Sequence, residues 1–384
     1  MLAALLACLA ATAAAGDGNI GFWDSQRKGA NMMNQVQTEA QLAAAEQLGL
    51  QFVRLAVDKW HAADRDFLIG NADAYQSLNQ KDLARLNQVL DWADRHHIRI
   101  VLTMLSLPGD RWKQLNGNRD DPRLWQDRRY WDQAAAFWRD LARALRGRST
   151  IVAYDIINEP HPEKGGGFDE DGTRDFAAWY ARAKGTARDL NDLYAQVVAA
   201  IRTVDDETPI MLESGLYAAP DAFAYLRPLA DDKVLYAFHM YEPYAWAAPS
   251  NKGRYRYPGA APFAGRTAVW NRQRIADYLA AVGAWQAKNQ VAANRIAGAE
   301  FGCFRRNPGC GDYLADVVSV LNSQRWHWAF YAFREDGWDG MDYEIGTEPL
   351  PWAYWQAVDA GKTPEPPRRD NKLFDVIRRE FLPR

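Results

Sequence analysis

Eight short apolar segments alternate with amphipathic stretches along almost the whole chain. Most of these segments are continuous apolar runs, which is typical of parallel strands that are covered by helices. They begin at Arg27, Gln51, Ile98, Ile151, Pro209, Val234, Ile296 and Trp326. Eight strands that are each followed by a helical connection favour a closed (β/α)8 TIM barrel over an open sheet.

Apolar residues recur at helical spacing in the stretches between the predicted strands. One such stripe consists of Leu83, Leu86, Leu90 and Ala93. The segment that starts at Thr38 has the sequence TEAQ, which is typical of a capping box at the beginning of a helix. These stretches supply the helices that a barrel needs between its strands.

The segments that follow the predicted strands are long and rich in polar or aromatic residues, whereas those that lead into strands are short. The long segments are residues 108–127, 161–175, 242–270 and 334–352. This asymmetry places the functional loops at the carboxyl-terminal face of the barrel. No Pro/Ser-rich linker or repeat divides the chain, so we expect residues 16–384 to form a single domain.

The first fifteen residues, MLAALLACLAATAAA, are small and apolar, and the polar sequence GDGN follows them. This run is too short to span a bilayer, and its Ala-rich end suits cleavage by signal peptidase. We expect residues 1–15 to be a signal peptide, although the basic residues that usually open one are missing. The mature protein is then secreted or periplasmic, and no other segment is suited to crossing a membrane.

Removal of the signal peptide leaves two cysteines, Cys303 and Cys310. An even number of cysteines in an exported protein fits one disulfide, here closing the short loop FGCFRRNPGCG. The alternative is a pair of reduced, buried thiols. Neither HExxH nor paired CxxC occurs, so we expect no metal site and no cofactor.

Composition narrows the range of partners. The net charge of −3 gives no reason to expect nucleic acid as a partner. Tryptophan is in excess, with 16 copies. Most of them are expected in a large core, but tryptophans beside loops also stack on sugar rings, which modestly favours a carbohydrate. We expect a monomer.

Two acidic residues stand at the ends of predicted strands, Glu159 in DIINEP and Glu300 in AGAEFG. Each follows an apolar run and precedes a turn residue, which places it at the mouth of the barrel. Glycoside hydrolysis requires two carboxyl groups, one as proton donor and the other as nucleophile or base. Because their strands lie three apart, we expect them on opposite walls of one cleft.

These segments and two others resemble the motifs of glycoside hydrolase family 5, in which catalytic glutamates follow the fourth and seventh strands of the barrel. The matching segments are FVRLA with Arg54, IINEP with Asn158 and Glu159, FHMYEP with His239 and Tyr241, and AEFG with Glu300. Their order agrees with the family from about residue 29 to residue 334. The resemblance extends over nearly the whole mature chain.

The resemblance implies a retaining double displacement. Glu159 would protonate the glycosidic oxygen and then deprotonate the incoming water, while Glu300 would attack the anomeric carbon. The two carboxyl groups of such a pair lie about 5–5.5 Å apart.

The resemblance also implies supporting roles. Arg54 would keep Glu300 ionised, Tyr241 would donate a hydrogen bond to Glu300, and His239 would fix the acid/base side of the site. Asn158 would bind the sugar 2-hydroxyl. Read singly, Arg54 is equally an ordinary partner for a carboxylate, and His239 an ordinary buried histidine.

Two positions depart from the family pattern. Leu105 replaces a histidine that usually ends the third strand, which removes a polar contact from the substrate-facing wall. Tyr331 stands where the family has a tryptophan platform under the sugar, and Trp328 and Trp338 are alternative platforms. Glu213 ends the fifth predicted strand without an assigned role.

The leading hypothesis is therefore an endo-acting β-glycosidase, a cellulase-like enzyme that cleaves a β-1,4-linked glucan or mannan. The first alternative is an exo-β-glycosidase, or an enzyme that cleaves a glycoconjugate, with the same two glutamates. A non-catalytic carbohydrate-binding barrel is a second alternative, but such a protein gains little from two carboxylates that face one bond. A metal-dependent barrel hydrolase would need a His/Asp cluster at the strand ends, which the sequence lacks.

Overall fold

The computed structural model describes residues 18–168 and 175–382, so the predicted signal peptide lies outside the described residues. Ten strands are present in this part of the chain. They are β1 (Lys28–Met32), β2 (Phe52–Ala56), β3 (Arg99–Thr103), β4 (Ile151–Asp155), β5 (Ile210–Glu213), β6 (Val234–Met240), β7 (Gly259–Phe263), β8 (Arg266–Trp270), β9 (Ile296–Phe301) and β10 (His327–Phe330).

Eight parallel strands close into a barrel in the order β1-β2-β3-β4-β5-β6-β9-β10, and β10 pairs with β1. Every predicted strand begins within one residue of an observed barrel strand. The (β/α)8 prediction is confirmed.

Helices connect the strands and cover the outside of the barrel. They are α1 (Glu39–Leu48), α2 (Gln80–Arg95), α3 (Arg129–Leu145), α4 (Phe176–Ala183), α5 (Leu190–Arg202), α6 (Gly215–Ala218), α7 (Pro220–Phe223), α8 (Tyr244–Ala247), α9 (Arg272–Asn289), α10 (Cys310–Gln324), α11 (Trp352–Asp359) and α12 (Lys372–Arg378). Thr38 caps α1, and its backbone N–H donates to the Gln41 side chain at 2.9 Å, as the capping box predicts. None of the described helices is both long and apolar enough to cross a membrane.

The long segment between β6 and β9 contains an antiparallel hairpin, β7–β8, where the sequence predicts a loop. Its two turn residues, Ala264 and Gly265, both have positive φ, as a tight hairpin turn requires. Trp270 and Phe263 pack edge-to-face on Tyr278 of α9, which fixes the hairpin against the barrel wall. The strands have only five residues each, so their alternation gives a weak sequence signal.

The amino-terminal end of the barrel is closed by Trp23, from the 3-10 helix Gly18–Asp24. The Trp23 indole is fully buried, donates from Nε1 to the carbonyl of Val152 at 2.8 Å, and packs edge-on against Phe52. Most of the 16 tryptophans are buried in this way, as the sequence suggested. The closed end therefore serves stability and leaves the opposite end for the site.

The loop after β9 is closed by a disulfide between Cys303 and Cys310. Gly309 within this loop has φ +89°, and a β-carbon built on it lies 1.7 Å from the carbonyl oxygen of Tyr257. Glycine is therefore required at this position for two reasons, the positive φ and the close approach of the Tyr257 backbone.

We predict that Gly309→Ala lowers the free energy of unfolding by about 3 kcal/mol, because the strained φ and the backbone clash add. Gly117→Ala is the matched control. Its φ is +59° and nothing lies within 4 Å of an added β-carbon, so only the conformational cost of about 1 kcal/mol remains. Chemical denaturation of both variants measures the difference, and equal losses would contradict the assigned clash.

Candidate active site

A cavity of about 220 Å³ opens at the carboxyl-terminal ends of the barrel strands. Six of the eight residues that were predicted to catalyse or to contact substrate line it. They are Asn158, Glu159, Tyr241, Glu300, Tyr331 and Trp338. The other two, Arg54 and His239, lie buried directly behind this wall and are bonded to the lining carboxylates.

Arg54 occupies the centre of the polar network inside the barrel. Its guanidinium is buried and donates from Nε to Asp155 Oδ2 at 2.7 Å, from Nη1 to Glu300 Oε1 at 2.6 Å, and from Nη2 to Glu213 Oε1 at 2.7 Å. Nη2 also donates to Asn158 Oδ1 at 3.0 Å. One side chain from β2 thus fixes side chains from β4, β5 and β9 and the segment after β4.

The pKa values of the two carboxyl groups behind the cavity, Asp155 and Glu213, are shifted in opposite directions. Burial raises the pKa of Asp155, and the neighbouring Glu213 raises it further. Burial also disfavours the charge of Glu213, but His239 and Arg54 outweigh burial and lower the Glu213 pKa. Asp155 Oδ1 has no hydrogen-bond partner among the described residues, consistent with a weaker hold on its charge.

Glu300 is the penultimate residue of β9 and accepts two hydrogen bonds. Oε1 accepts from Arg54, and Oε2 accepts from the Tyr241 hydroxyl at 2.8 Å. Burial raises the pKa of Glu300, while the charges of His239 and Arg54 act in the opposite direction. Arg54 therefore opposes the effect of burial on the Glu300 pKa, but burial prevails.

Glu159 lies on the opposite wall and has an unusual backbone. Its φ is +51°, in the left-handed region that a residue with a β-carbon rarely adopts. The Glu159 N–H donates to Glu213 Oε2 at 2.7 Å, and its carbonyl bonds to His161 Nδ1 at 2.9 Å. Strained backbone of this kind concentrates at functional sites. One carboxylate oxygen each of Glu159 and Glu300 come within 4.8 Å of each other.

His239 of β6 bridges the two walls. Its Nδ1 lies 3.1 Å from Glu159 Oε1 and 3.6 Å from Glu300 Oε2, and its Nε2 lies 2.9 Å from Glu213 Oε1. Burial lowers the pKa of His239, but Glu213 and Glu300 outweigh burial and raise it to about 10. Glu159, His239 and Glu300 each place one oxygen or nitrogen atom within 4.8 Å of the other two.

The aromatic positions of the site divide into two groups. Tyr331 lines the cavity and donates from its hydroxyl to Glu335 Oε2 at 2.9 Å. Trp338 also lines the cavity, with its ring stacked on Phe304. Trp328 is instead fully buried, so it is wrong as an alternative platform.

Leu105 lines the cavity, as expected for a residue on the substrate-facing wall. Its backbone N–H and that of Ser106 donate to the buried carboxyl group of Asp58 at 2.8 Å and 3.0 Å. The backbone of this wall is thus fixed by a residue just after β2, while Leu105 presents an apolar side chain to the cavity.

The sequence does not indicate a role for either Asp155 or Glu213. The available signal was an acidic residue inside or at the end of an apolar strand, because buried carboxylates need a partner. That signal does not identify the residues to which the buried carboxylates bond.

Residues 17–337 match the profile of the family described as Cellulase (glycosyl hydrolase family 5). Endoglucanase C of Acetivibrio thermocellus is 25% identical over 230 residues, which are 59% of this chain and 57% of that protein. The chain thus spans little more than half the length of this relative. A β-xylosidase of Phanerodontia chrysosporium is 23% identical over 373 residues, which are 90% of this chain and 68% of that protein.

The fold is similar to that of solved endoglucanases. The crystal structure of endoglucanase Cel5A from Thermotoga maritima superposes with a TM-score of 0.62 at 15% identity, and the match covers 84% of this chain and 94% of that one.

We predict that Arg54→Met lowers the free energy of unfolding at pH 7 by about 3–5 kcal/mol, because buried carboxylates lose their common cation. The deficit should shrink as the pH falls to 4. The lowered pKa of Glu213 contributes stability that is fully present above its ordinary value of 4.5 and is lost as the pH falls through about 2, so only part of it is gone at pH 4. In the variant, the carboxyl groups that lack the cation take up protons as the pH falls, which further reduces the deficit.

Chemical denaturation at the two pH values measures this change. Arg129→Met is the control, because Arg129 pairs with Asp127 at the surface with a side chain that is 83% exposed. It should leave the unfolding free energy unchanged. A deficit of Arg54→Met that is the same at both pH values would contradict the assignment.

Proposed function

The chain belongs to glycosyl hydrolase family 5 and is therefore a glycosyl hydrolase, and from this membership we propose that it cleaves β-glycosides with net retention. Glu159 is the acid/base and Glu300 is the nucleophile. The observation that carries the proposal is the approach of their carboxylate oxygens to within 4.8 Å across one cavity.

In the first step, a Glu300 oxygen attacks the anomeric carbon while the bond from that carbon to the glycosidic oxygen breaks. The leaving oxygen takes the proton of Glu159 and departs as an alcohol. The products are a glycosyl ester on Glu300 and an ionised Glu159. Donation from Arg54 and Tyr241 to Glu300 supports this role, because both donors favour the carboxylate form of the nucleophile.

In the second step, Glu159 removes a proton from water, and the water oxygen attacks the anomeric carbon. The ester bond breaks, Glu300 returns as a carboxylate, and the sugar leaves with its original configuration. A retaining pair lies about 5–5.5 Å apart and an inverting pair about 6.5–9.5 Å apart. The approach within 4.8 Å supports retention over inversion.

Asn158, at the head of the cavity, binds the 2-hydroxyl of the sugar in this proposal, and its Oδ1 is already oriented by Arg54. Tyr331 and Trp338 supply the stacking surface. The enzyme uses no cofactor and acts as a monomer outside the cytoplasm, in the periplasm or the medium.

For the substrate, we propose endo-cleavage of a β-1,4-linked glucan or mannan. The name of the endoglucanase relative supports this proposal. An exo-β-glycosidase is the second candidate, because the β-xylosidase relative aligns over 90% of this chain. A probable glucan 1,3-β-glucosidase A of Emericella nidulans, 26% identical over 46% of this chain and 38% of that protein, also favours it.

We predict that Glu159→Ala and Glu300→Ala each lower hydrolysis by at least about a hundredfold, because each removes one of the two groups that the chemistry requires. A panel of β-linked polysaccharides, oligosaccharides and aryl glycosides provides the measurement and also identifies the sugar. Glu207→Ala is the control, since Glu207 is exposed and lies outside the cavity.

A 2-fluoro glycoside of the same sugar tests the nucleophile. Mass spectrometry should find the covalent adduct on Glu300 in the wild type and none in Glu300→Ala. If no substrate is cleaved and no adduct forms, the barrel binds carbohydrate without breaking it, and the proposal fails.

A further inference from the structure

We propose that Glu213 is a positioning residue for hydrolysis, which holds both the backbone of Glu159 and the imidazolium of His239. This inference rests on the proposed role of Glu159 as the acid/base. Glu213 does not line the cavity and so does not touch substrate. It acts through the two residues that it binds.

The carboxylate of Glu213 accepts three hydrogen bonds inside the barrel. Oε1 accepts from Arg54 Nη2 at 2.7 Å and faces His239 Nε2 at 2.9 Å, while Oε2 accepts from the backbone N–H of Glu159 at 2.7 Å. The side chain is fully buried, so no water competes for these donors. Both oxygens are needed, because Oε1 binds Arg54 and His239 and Oε2 binds the backbone of Glu159.

The bond to the Glu159 N–H bears on a strained residue. A φ of +51° is unfavourable for glutamate and persists only where the surroundings enforce it. A hydrogen bond to an ionised carboxylate is among the stronger ones in proteins. Glu213 therefore helps to hold the backbone that aims the Glu159 carboxyl group across the cavity toward Glu300.

The contact with His239 maintains a second restraint on Glu159. Both ring nitrogens face carboxylate oxygens, so both carry protons, and Nδ1–H donates to Glu159 Oε1. The charged and titratable groups that act on His239 are Glu159 and Asp155 from the β4 side, Glu213 from β5 and Glu300 from β9. Arg54, which is bonded to Glu213, adds a positive charge.

Glutamine at position 213 has the shape of glutamate but only one acceptor oxygen. Glu213→Gln must therefore lose either the Glu159 N–H or the Arg54 and His239 donors, and it removes the charge beside Nε2. Asp155→Asn is the matched control, because Asp155 is equally buried and bonds to Arg54. Asp155 accepts its hydrogen bond from Arg54, and this bond involves neither Glu159 nor His239.

The first test compares two leaving groups on the sugar that the hydrolysis panel selects. Departure of 2,4-dinitrophenolate needs no proton, whereas departure of phenol depends on Glu159. In Glu213→Gln, kcat/KM for the phenyl glycoside should fall at least about tenfold more than for the dinitrophenyl glycoside. Asp155→Asn should slow both glycosides equally. Equal losses in Glu213→Gln would overturn the proposal, because a residue with only a structural role slows both reactions alike.

The second test measures the protonation state of the His239 ring directly, by NMR of protein that carries ¹⁵N-labelled histidine. The chain has six histidines, and His239→Gln assigns the signal. At pH 7, His239 should be an imidazolium in the wild type and a neutral ring in Glu213→Gln, while Glu213→Asp should restore the imidazolium. An unchanged signal in Glu213→Gln would overturn the proposal. The NMR measurement does not require turnover. If the wild type cleaves neither glycoside, the proposed function is refuted, and the NMR result alone decides whether Glu213 holds the imidazolium of His239.

Discussion

The buried guanidinium of Arg54 holds the candidate active site together. It binds Asp155, Glu213 and Glu300, which come from three different strands, through nitrogens on every side of its planar fork. With His239 as a second cation, it offsets the burial of three carboxyl groups at one end of the barrel, those of Asp155, Glu213 and Glu300. Loss of this cation would leave several uncompensated charges in the interior, which is far more costly than loss of a surface ion pair.

The network explains how the barrel brings the carboxylates of Glu159 and Glu300 together at one cavity. Glu300 is held by two donors, and Glu159 is held by its backbone N–H and by His239. None of these contacts depends on a mobile loop, since their residues lie on strands or directly after them. Leu105 and Trp338 also line the cavity, but they take no part in this hydrogen-bond network.

The sequence was sufficient for the barrel because the apolar runs that mark its strands are local features of the sequence, and the eight strand positions were right to within one residue. The structure also brings Arg54, His239 and Tyr241 to the two glutamates. The ion network was not predictable in the same way, because which side chains share the barrel interior depends on strand register and closure. The sequence alone does not distinguish Asp155 from an ordinary strand residue. It also does not show that Trp328 is buried and does not face the cavity. The hairpin β7–β8 was not predicted from the sequence because its strands are short.

The stereochemistry of hydrolysis tests the central claim most directly. Proton NMR of an oligosaccharide digest, recorded before mutarotation, shows whether the newly formed reducing end is β or α. A pair of glutamates held within 4.8 Å by the Arg54 network predicts that the β-anomer appears first and decays to the equilibrium mixture. If the α-anomer appears first, water attacks the anomeric carbon directly, and Glu300 is not the nucleophile.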